Sequence, residues 1–245
     1  MSHFRLAPVL ILLLATVHGQ ETKPCATHEW SGVQHYREAK LAPAKNGPRV
    51  VLMGASTVER WDVIKTFPAG NYINRGIAGQ GTSQMLLRFF QDVVSLSPRV
   101  VVIFPGLNDL GGANGNVPAI DIHQNLAAMA QLAKANNIRV VFASLLPTDP
   151  NGTHPYAKTV TSEQIRELNR WMFQYARDHG DTYADLWSPL GDAKYNLELK
   201  YSVDGVHIND EGYKLLAPVL EKRVTEALAK GVGRASVKGE YSSEE

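Results

Sequence analysis

The amino-acid sequence predicts an α/β protein with three layers, α/β/α, in which helices cover both faces of a sheet of about five parallel strands. Short apolar runs rich in β-branched residues recur along the chain, and such runs indicate strands that are buried on both faces. Between them lie longer segments with the hydrophobic spacing of amphipathic helices. The two kinds of segment alternate, which favours right-handed β/α crossovers over separate helical and sheet regions.

The individual elements follow from this pattern in chain order. Apolar runs predict strands at 49–54, 71–74, 99–104, 139–146 and, more weakly, 182–186. Helical spacing of apolar residues predicts helices at 82–96, 120–135, 162–177 and 210–229. A chain of 245 residues with a removable leader is expected to fold around one core.

Both ends of the chain are predicted to lie outside this core. Residues 1–19 look like a cleavable signal peptide, because their apolar run is too short to span a bilayer and small or apolar residues precede a suitable cleavage site. An uncleaved N-terminal anchor is the alternative. Residues 20–48 are expected to form an arm and linker that packs through Trp30 and Tyr36. Residues 49–230 form the predicted domain, and residues 231–245 a flexible tail.

Charge and cysteine content narrow the class of protein. A formal net charge of +1 gives no electrostatic reason to bind nucleic acid. Cys25 is the only cysteine, so the chain can form no internal disulfide. Together with a cleavable signal peptide, this composition predicts a secreted or periplasmic protein without a stable membrane span after the signal is removed. The sequence carries no indication of the oligomeric state.

Four polar clusters are predicted to meet at one edge of the sheet. Residues 54–57, 76–79 and 106–109 follow the first three strands, and residues 204–207 precede the last helix. In open α/β sheets, ligands bind beyond the carboxyl ends of the strands. We therefore expect a functional site where these clusters come together.

Ser56 is the candidate nucleophile of this site. It lies where the first strand gives way to a helix, although a serine there is also a common helix cap. Asp204 and His207 favour the catalytic interpretation, because their spacing lets the carboxylate bind the imidazole Nδ1–H and leaves Nε2 free for a serine. An Asp-Gly turn with a surface histidine is the alternative for this pair.

Two further residues are placed to stabilise a developing oxyanion. Asn108 offers a side-chain amide at the end of a buried strand, and Gly79 offers a backbone N–H where a Cβ would obstruct the substrate. Each has a plain alternative, an Asx turn for Asn108 and loop flexibility for Gly79. Their joint occurrence at successive strand ends favours an oxyanion hole.

The four blocks resemble those of the SGNH hydrolases, also called GDSL-like lipases and esterases. The matching blocks are Gly54-Ala-Ser56, Gly76-Ile-Ala-Gly79, Gly106-Leu-Asn108-Asp and Asp204-Gly-Val-His207. The resemblance runs from about residue 50 to the final helix. Each block is weak alone, but the four in this order are specific.

The resemblance implies both a fold and an activity. It implies a flavodoxin-like fold and a serine ester hydrolase that forms an acyl-enzyme, with Ser56 as nucleophile, His207 as base and Asp204 behind it. It further implies an oxyanion hole made of the N–H groups of Ser56 and Gly79 and the Asn108 amide. No metal or organic cofactor is implied.

One departure from the family is Ala55, which stands where the first block usually has aspartate. Alanine offers no side-chain hydrogen bond, so we expect the oxyanion hole of a working enzyme to be supported differently. A degenerate relative that only binds carbohydrate is the alternative. Dinucleotide binding is not predicted, because residues 76–81 read G-x-x-G-x-G rather than G-x-G-x-x-G.

The expected substrate is a small-molecule or polysaccharide ester with a short acyl group, above all acetyl. The connections between the blocks are too short for a large hydrophobic lid. Four residues near the blocks are candidates for lining the substrate site: Arg60, Trp61, Arg75 and Asp109. Core packing of the tryptophan and solvated charges are equally good explanations for them. A lysophospholipase or thioesterase is the alternative within the same fold.

Overall fold

The computed structural model describes residues 30–39 and 46–230 of the chain. The predicted signal peptide and the predicted C-terminal tail lie outside the described residues. Within the described part, no helix combines the length and the apolar character needed to cross a bilayer.

The centre of the fold is a five-stranded parallel sheet. Its strands are β1 Arg49–Gly54, β2 Asn71–Gly76, β3 Val100–Phe104, β4 Arg139–Ala143 and β5 Thr182–Ala184. The strand order is β2-β1-β3-β4-β5, the doubly wound order of flavodoxin-like folds. The predicted fold class is therefore confirmed.

Helices cover both faces of this sheet. The helices are α1 Ser56–Glu59, α2 Val63–Thr66, α3 Thr82–Asp92, α4 Ala119–Ala135, α5 Pro155–Thr159, α6 Ser162–Asp178 and α7 Asp210–Ala229. Residues of α3, α4 and α6 pack on one face, and residues of α1, α2 and α7 pack on the other. The three layers that the sequence predicts are thus present.

The strands supply the core from both of their faces. In β1, Val51 and Met53 pack with α3, α4 and α6, whereas Val50 and Leu52 pack with α1, α2 and α7. All four side chains are buried. Because successive strand residues point to opposite faces, burial on both faces explains why these runs are apolar throughout.

Three short helices carry no periodic signal in the sequence, and only α1, which follows the first strand at Ser56, is expected from it. The helices α1, α2 and α5 have only four, four and five residues, too few to show a hydrophobic period. The helix predicted over 82–96 instead ends at Asp92, and a separate 3-10 turn spans Val94–Leu96. These differences leave the order of the elements unchanged.

Candidate active site

The carboxyl edge of the sheet brings together the polar clusters that the sequence analysis singled out. Ser56, Asn108 and His207 line one cavity, although they come from three separate parts of the chain. The loop after β2 joins them through a hydrogen bond of 2.8 Å from Asn108 Nδ2 to the Gln80 carbonyl. The four clusters thus meet, as expected for the carboxyl edge of a parallel sheet.

Ser56 is the first residue of α1, and its hydroxyl does not cap that helix. Ala55 occupies the N-cap position and provides no side-chain cap hydrogen bond. The Ser56 Oγ lies 3.1 Å from His207 Nε2. A hydrogen bond of 2.8 Å from the Tyr213 hydroxyl to the Thr57 carbonyl ties α1 to α7 beside the serine.

Asp204 holds His207 through its ring and its backbone. Asp204 Oδ2 lies 2.7 Å from His207 Nδ1, and Oδ1 accepts hydrogen bonds from the N–H groups of Val206 and His207. Burial by itself raises the pKa of the Asp204 carboxyl, but these hydrogen bonds outweigh it and lower the pKa to about 2. The carboxylate therefore stays ionised and keeps the imidazole proton on Nδ1, with Nε2 facing Ser56.

The loop after β4 braces this Asp–His turn from outside. The Asp149 N–H donates to the Gly205 carbonyl at 2.8 Å, and the His154 N–H donates to the Asp204 carbonyl at 3.0 Å. The turn is thus held through its backbone, which leaves the side chains of Asp204 and His207 to bind each other.

The candidate oxyanion donors have hydrogens available. Within residues 30–39 and 46–230, the N–H groups of Ser56 and Gly79 donate to no protein acceptor. Asn108 Nδ2 uses one hydrogen on Gln80, which leaves the second for a ligand. Gly79 has φ of +78°, and an added Cβ there would meet no protein atom within 4 Å. Its backbone conformation, rather than crowding by the chain, accounts for the glycine.

The cavity beside Ser56 is small and partly apolar. Its volume is about 30 Å³, and roughly 10–15 Å³ by the same measure is already enough to hold one water molecule. Leu107, Leu145 and Leu146 contribute apolar wall, and His154 and Tyr156 contribute polar groups. A methyl group fits such a space, whereas a long acyl chain would have to extend outside it.

His154 and Tyr156 are site residues that sequence reasoning missed. The His154 ring lies edge-on to His207, with 5.2 Å between centroids, and its Nδ1 accepts the Tyr156 N–H at 3.2 Å. Burial lowers the pKa of His154. The Asp204 carboxylate acts to raise this pKa, whereas the positive charges of His207 and Arg60 lower it further. The hydrogen bond from the Tyr156 N–H requires an unprotonated Nδ1, which places the ring proton on Nε2. No motif marks it, because it follows residues that suggest only a turn.

Three of the four candidate lining residues are buried away from the cavity, contrary to the expectation. Trp61 is 1% exposed, packs on Phe67 and Tyr213, and donates to Thr66 Oγ1 at 3.1 Å. Asp109 is 5% exposed and accepts the Thr82 N–H at the start of α3.

Arg75 is the third of these residues and is 6% exposed. Its guanidinium lies 4.5 Å from the centre of the Tyr36 ring. Arg60 is exposed and does not line the cavity, but its charge acts on His154. Arg75 Nη1 donates to the Asn74 carbonyl, and the buried Arg75 Nε has no hydrogen-bond partner among the described residues. The buried three are framework residues, because they pack inside the protein and none of them lines the cavity.

Metal-ligating groups also meet in this site. The side chains of His154, Asp204 and His207 each offer one potential ligand atom, and these three atoms lie within 4.8 Å of one another. The Asp204 oxygens already accept three hydrogen bonds, and His154 Nδ1 accepts one, which places its proton on Nε2. An ion at His154 Nε2 would require this proton to leave, and an ion at His207 Nε2 would compete with the Ser56 hydroxyl, so these hydrogen bonds favour proton transfer over metal binding.

Comparison with known proteins places this site in context. Residues 50–215 match the family model described as the GDSL-like lipase/acylhydrolase family. Among curated proteins, the chain is 28% identical over 103 residues to the uncharacterized lipoprotein YqeF of Bacillus subtilis strain 168. That match covers 39% of this chain and 42% of YqeF.

Solved structures resemble the chain over more of its length. A candidate acylhydrolase from Bacteroides fragilis NCTC 9343 is 32% identical with a TM-score of 0.74, over 81% of this chain and 98% of that one. A GDSL-like lipase from Bacteroides thetaiotaomicron VPI-5482 is 32% identical with a TM-score of 0.73, over 81% and 99%. A catalytic mutant of an acetylxylan esterase from Geobacillus stearothermophilus shares the fold at 15% identity and a TM-score of 0.60, over 80% and 100%.

Proposed function

The chain belongs to the GDSL-like lipase/acylhydrolase family, and we propose that within this family of ester hydrolases it is an exported serine esterase for short-chain esters, above all acetyl esters. The observation that carries the proposal is the hydrogen-bonded series of Ser56 Oγ, His207 and Asp204, with separations of 3.1 and 2.7 Å. A serine hydroxyl becomes a nucleophile when an adjacent base can take its proton.

In the first half of the reaction, Ser56 Oγ attacks the ester carbonyl carbon while His207 Nε2 takes the hydroxyl proton. The Asp204 carboxylate stabilises the imidazolium that forms. The tetrahedral oxyanion accepts hydrogen bonds from the N–H groups of Ser56 and Gly79 and from the Asn108 amide. His207 then returns the proton to the leaving alcohol, and the acyl group remains on Ser56.

In the second half, water attacks the acyl-enzyme. His207 takes a proton from the water, the oxyanion forms again in the same place, and Ser56 leaves with the proton from His207. The carboxylic acid product departs and the free enzyme is restored. Every proton moves through His207, so the mechanism asks for no metal or organic cofactor.

The small cavity supports a short acyl group. Its volume of about 30 Å³ accommodates an acetyl methyl group against the leucine wall. His154 and Tyr156 give the opening a polar side, which suits an alcohol moiety rich in hydroxyl groups, as in an acetylated polysaccharide. An acetylxylan esterase among the structural neighbours is an example of such chemistry on this fold.

A lysophospholipase or related lipase activity is the second candidate, and one observation favours it. Leu199 and Val203, on the segment that leads to Asp204, are 74% and 64% exposed. Exposed apolar side chains beside a site can receive an acyl chain that runs outside the cavity. Hydrolysis of a thioester would use the same nucleophile, base and oxyanion donors.

Export is supported by residues 1–19, with their short apolar run and cleavage site. Mass spectrometry of the N-terminal peptide, on protein recovered from the periplasm or the medium, tests whether the signal peptide is cleaved. A mature protein that begins at Gln20 supports export, and an intact Met1 in the cytoplasm contradicts it.

Substrate and nucleophile are tested together by a series of p-nitrophenyl esters from acetate to octanoate, with acetylated xylan and lysophosphatidylcholine beside them. We expect kcat/KM to fall as the acyl chain grows, and Ser56→Ala to remove turnover. An equal rate for wild type and Ser56→Ala contradicts the enzyme and supports a binding relative. A rise in kcat/KM toward octanoate favours the lipase candidate.

A further inference from the structure

The oxyanion side of the site lacks the polar side chain that the first block would supply. Ala55 is 1% exposed and makes no side-chain hydrogen bond. The loop that carries Gly79 must nevertheless be held against β1 and Asn108 if it is to present its N–H. The question is which residues hold it.

Gln80, directly after Gly79, is hydrogen-bonded on three sides. Its carbonyl accepts from Asn108 Nδ2 at 2.8 Å, its Oε1 accepts from Arg88 Nε at 2.5 Å, and its Nε2 donates to the Ser31 carbonyl at 3.1 Å. Its side chain is buried, with 3% of the residue exposed. The arginine donor and the carbonyl acceptor together fix which way the amide is turned.

Arg88 connects Gln80 to the ends of the strands. It is fully buried, and its Nη2 donates to the Gly54 carbonyl at 3.0 Å, directly before Ala55 and Ser56. Its Nη1 donates to the Arg75 carbonyl at 3.0 Å and to Asp92 Oδ2 at 2.9 Å. A buried guanidinium with these partners links the backbone of the first block to the loop after β2.

The N-terminal arm, residues 30–39, closes the same loop from outside. The Gln84 side chain donates to the Trp30 carbonyl at 2.6 Å, and the Tyr36 hydroxyl donates to the Gly76 carbonyl. Gly32 lies so close that a Cβ on it would come within 2.3 Å of Gln80 Nε2. The arm therefore touches the oxyanion loop at its start, at Gln80 and in the first turn of α3.

We propose that Gln80 is a positioning residue that couples the N-terminal arm to the oxyanion hole and supports it where Ala55 does not. The proposal rests on the proposed function, since it assigns Gly79 and Asn108 to oxyanion stabilisation. Gln80 does not touch the substrate. It acts by holding the amide plane of Asn108 and the backbone of Gly79.

A pair of glycine substitutions separates this role from backbone strain. Gly32 and Gly180 have φ of +69° and +72°, so alanine is equally strained at both. A Cβ at Gly180 meets no atom within 4 Å, whereas at Gly32 it meets Gln80. With p-nitrophenyl acetate and the full chain, we expect Gly32→Ala to lower kcat about tenfold or more with KM changed less than about threefold, and Gly180→Ala to stay near wild type.

Gln80→Glu decides the question if Gly32→Ala does not fold. Glutamate keeps an acceptor for Arg88 but turns its second oxygen toward the Ser31 carbonyl, so the hydrogen bond to the arm is lost while a negative charge is added beside the Arg88 guanidinium. We expect a loss in kcat of about tenfold in the wild type and a smaller loss in an Asn108→Ala background, where only the effect through Gly79 remains.

Three results overturn the proposal while leaving the proposed function intact. They are equal kcat values for Gly32→Ala and Gly180→Ala, wild-type kcat for Gln80→Glu, and an undiminished Gln80→Glu effect in Asn108→Ala. Turnover that does not depend on Ser56 would instead contradict the proposed function itself. The two failures are therefore distinguishable in one set of assays.

Discussion

The two sides of the active site are built in different ways. On the base side, Asp204 accepts hydrogen bonds from residues two and three positions later, so a single turn holds the pair together. On the oxyanion side, the Gln80 and Arg88 side chains donate hydrogen bonds to backbone carbonyl groups of the arm, β1 and β2. The bonds between Asp204 and His207 are local in sequence, although the loop after β4 braces their turn, whereas the oxyanion side depends throughout on packing between distant segments.

This difference has a consequence for catalysis. A change in the base side removes a group that moves a proton, so it acts directly on the reaction. On the oxyanion side, a substitution at a residue other than Gly79 or Asn108 acts by moving these two donors. A displacement of a catalytic group by about 1 Å is enough to weaken catalysis severely. Mutations on the base side are therefore expected to lower kcat more than mutations on the oxyanion side.

The largest effect is expected from His207→Ala. Loss of the base removes proton transfer in both halves of the reaction, and in a comparable triad this costs about a million-fold in kcat. Turnover of p-nitrophenyl acetate by the purified variant measures it. His123→Ala, which changes a histidine stacked on Trp171, serves as control. A loss below about a hundredfold would remove His207 from the role of base.

Asp204→Asn should cost less, about ten-thousandfold in kcat, because the amide keeps the shape of the turn but supports the wrong imidazole tautomer. Asp210→Asn, an exposed carboxylate at the start of α7, is the matched control and should stay near wild type. Equal activity of Asp204→Asn and wild type would mean that the base side does not depend on its carboxylate.

Asn108→Ala tests the oxyanion side. Removal of one donor is expected to lower kcat about a hundred- to a thousandfold, with KM little changed. Asn136→Ala, at an exposed asparagine after α4, controls for the substitution. A loss below about tenfold would show that the N–H groups of Ser56 and Gly79 suffice without this amide.

The smallest and most graded effect is expected from pH. Protonated His207 cannot accept the serine proton, so kcat/KM should fall about tenfold per pH unit in the acidic pH range. The pKa of Asp204 is lowered to about 2, so its carboxylate stays ionised over that range and does not cause the fall. A rate that is flat from mildly acidic to alkaline pH would contradict His207 as base.

Much of the fold could be predicted because apolar runs and helical spacing of apolar residues recur along the chain. The strands β1, β3 and β4 are apolar runs, and α7 begins and ends at the predicted residues, Asp210 and Ala229. The short helices α2 and α5 could not be predicted, because tertiary contacts rather than a periodic face stabilise them. The functions of Trp61, Arg75 and Asp109 were not readable either, since proximity to a motif in sequence does not tell which way a side chain points.

The sequence by itself determined which residues meet, because parallel strands bring their carboxyl ends to one edge whatever their loops do. It thereby placed Ser56, Gly79 and Asn108 in one region, whereas Asp204 and His207, which precede the last helix, were placed there by the resemblance of the four blocks. Only the tertiary structure decided what supports and surrounds them: the contact of Gln80 with the arm, the small cavity beside Ser56, and the ring of His154 against His207. These features depend on side-chain packing between segments far apart in the chain, for which a single sequence has no periodic signal.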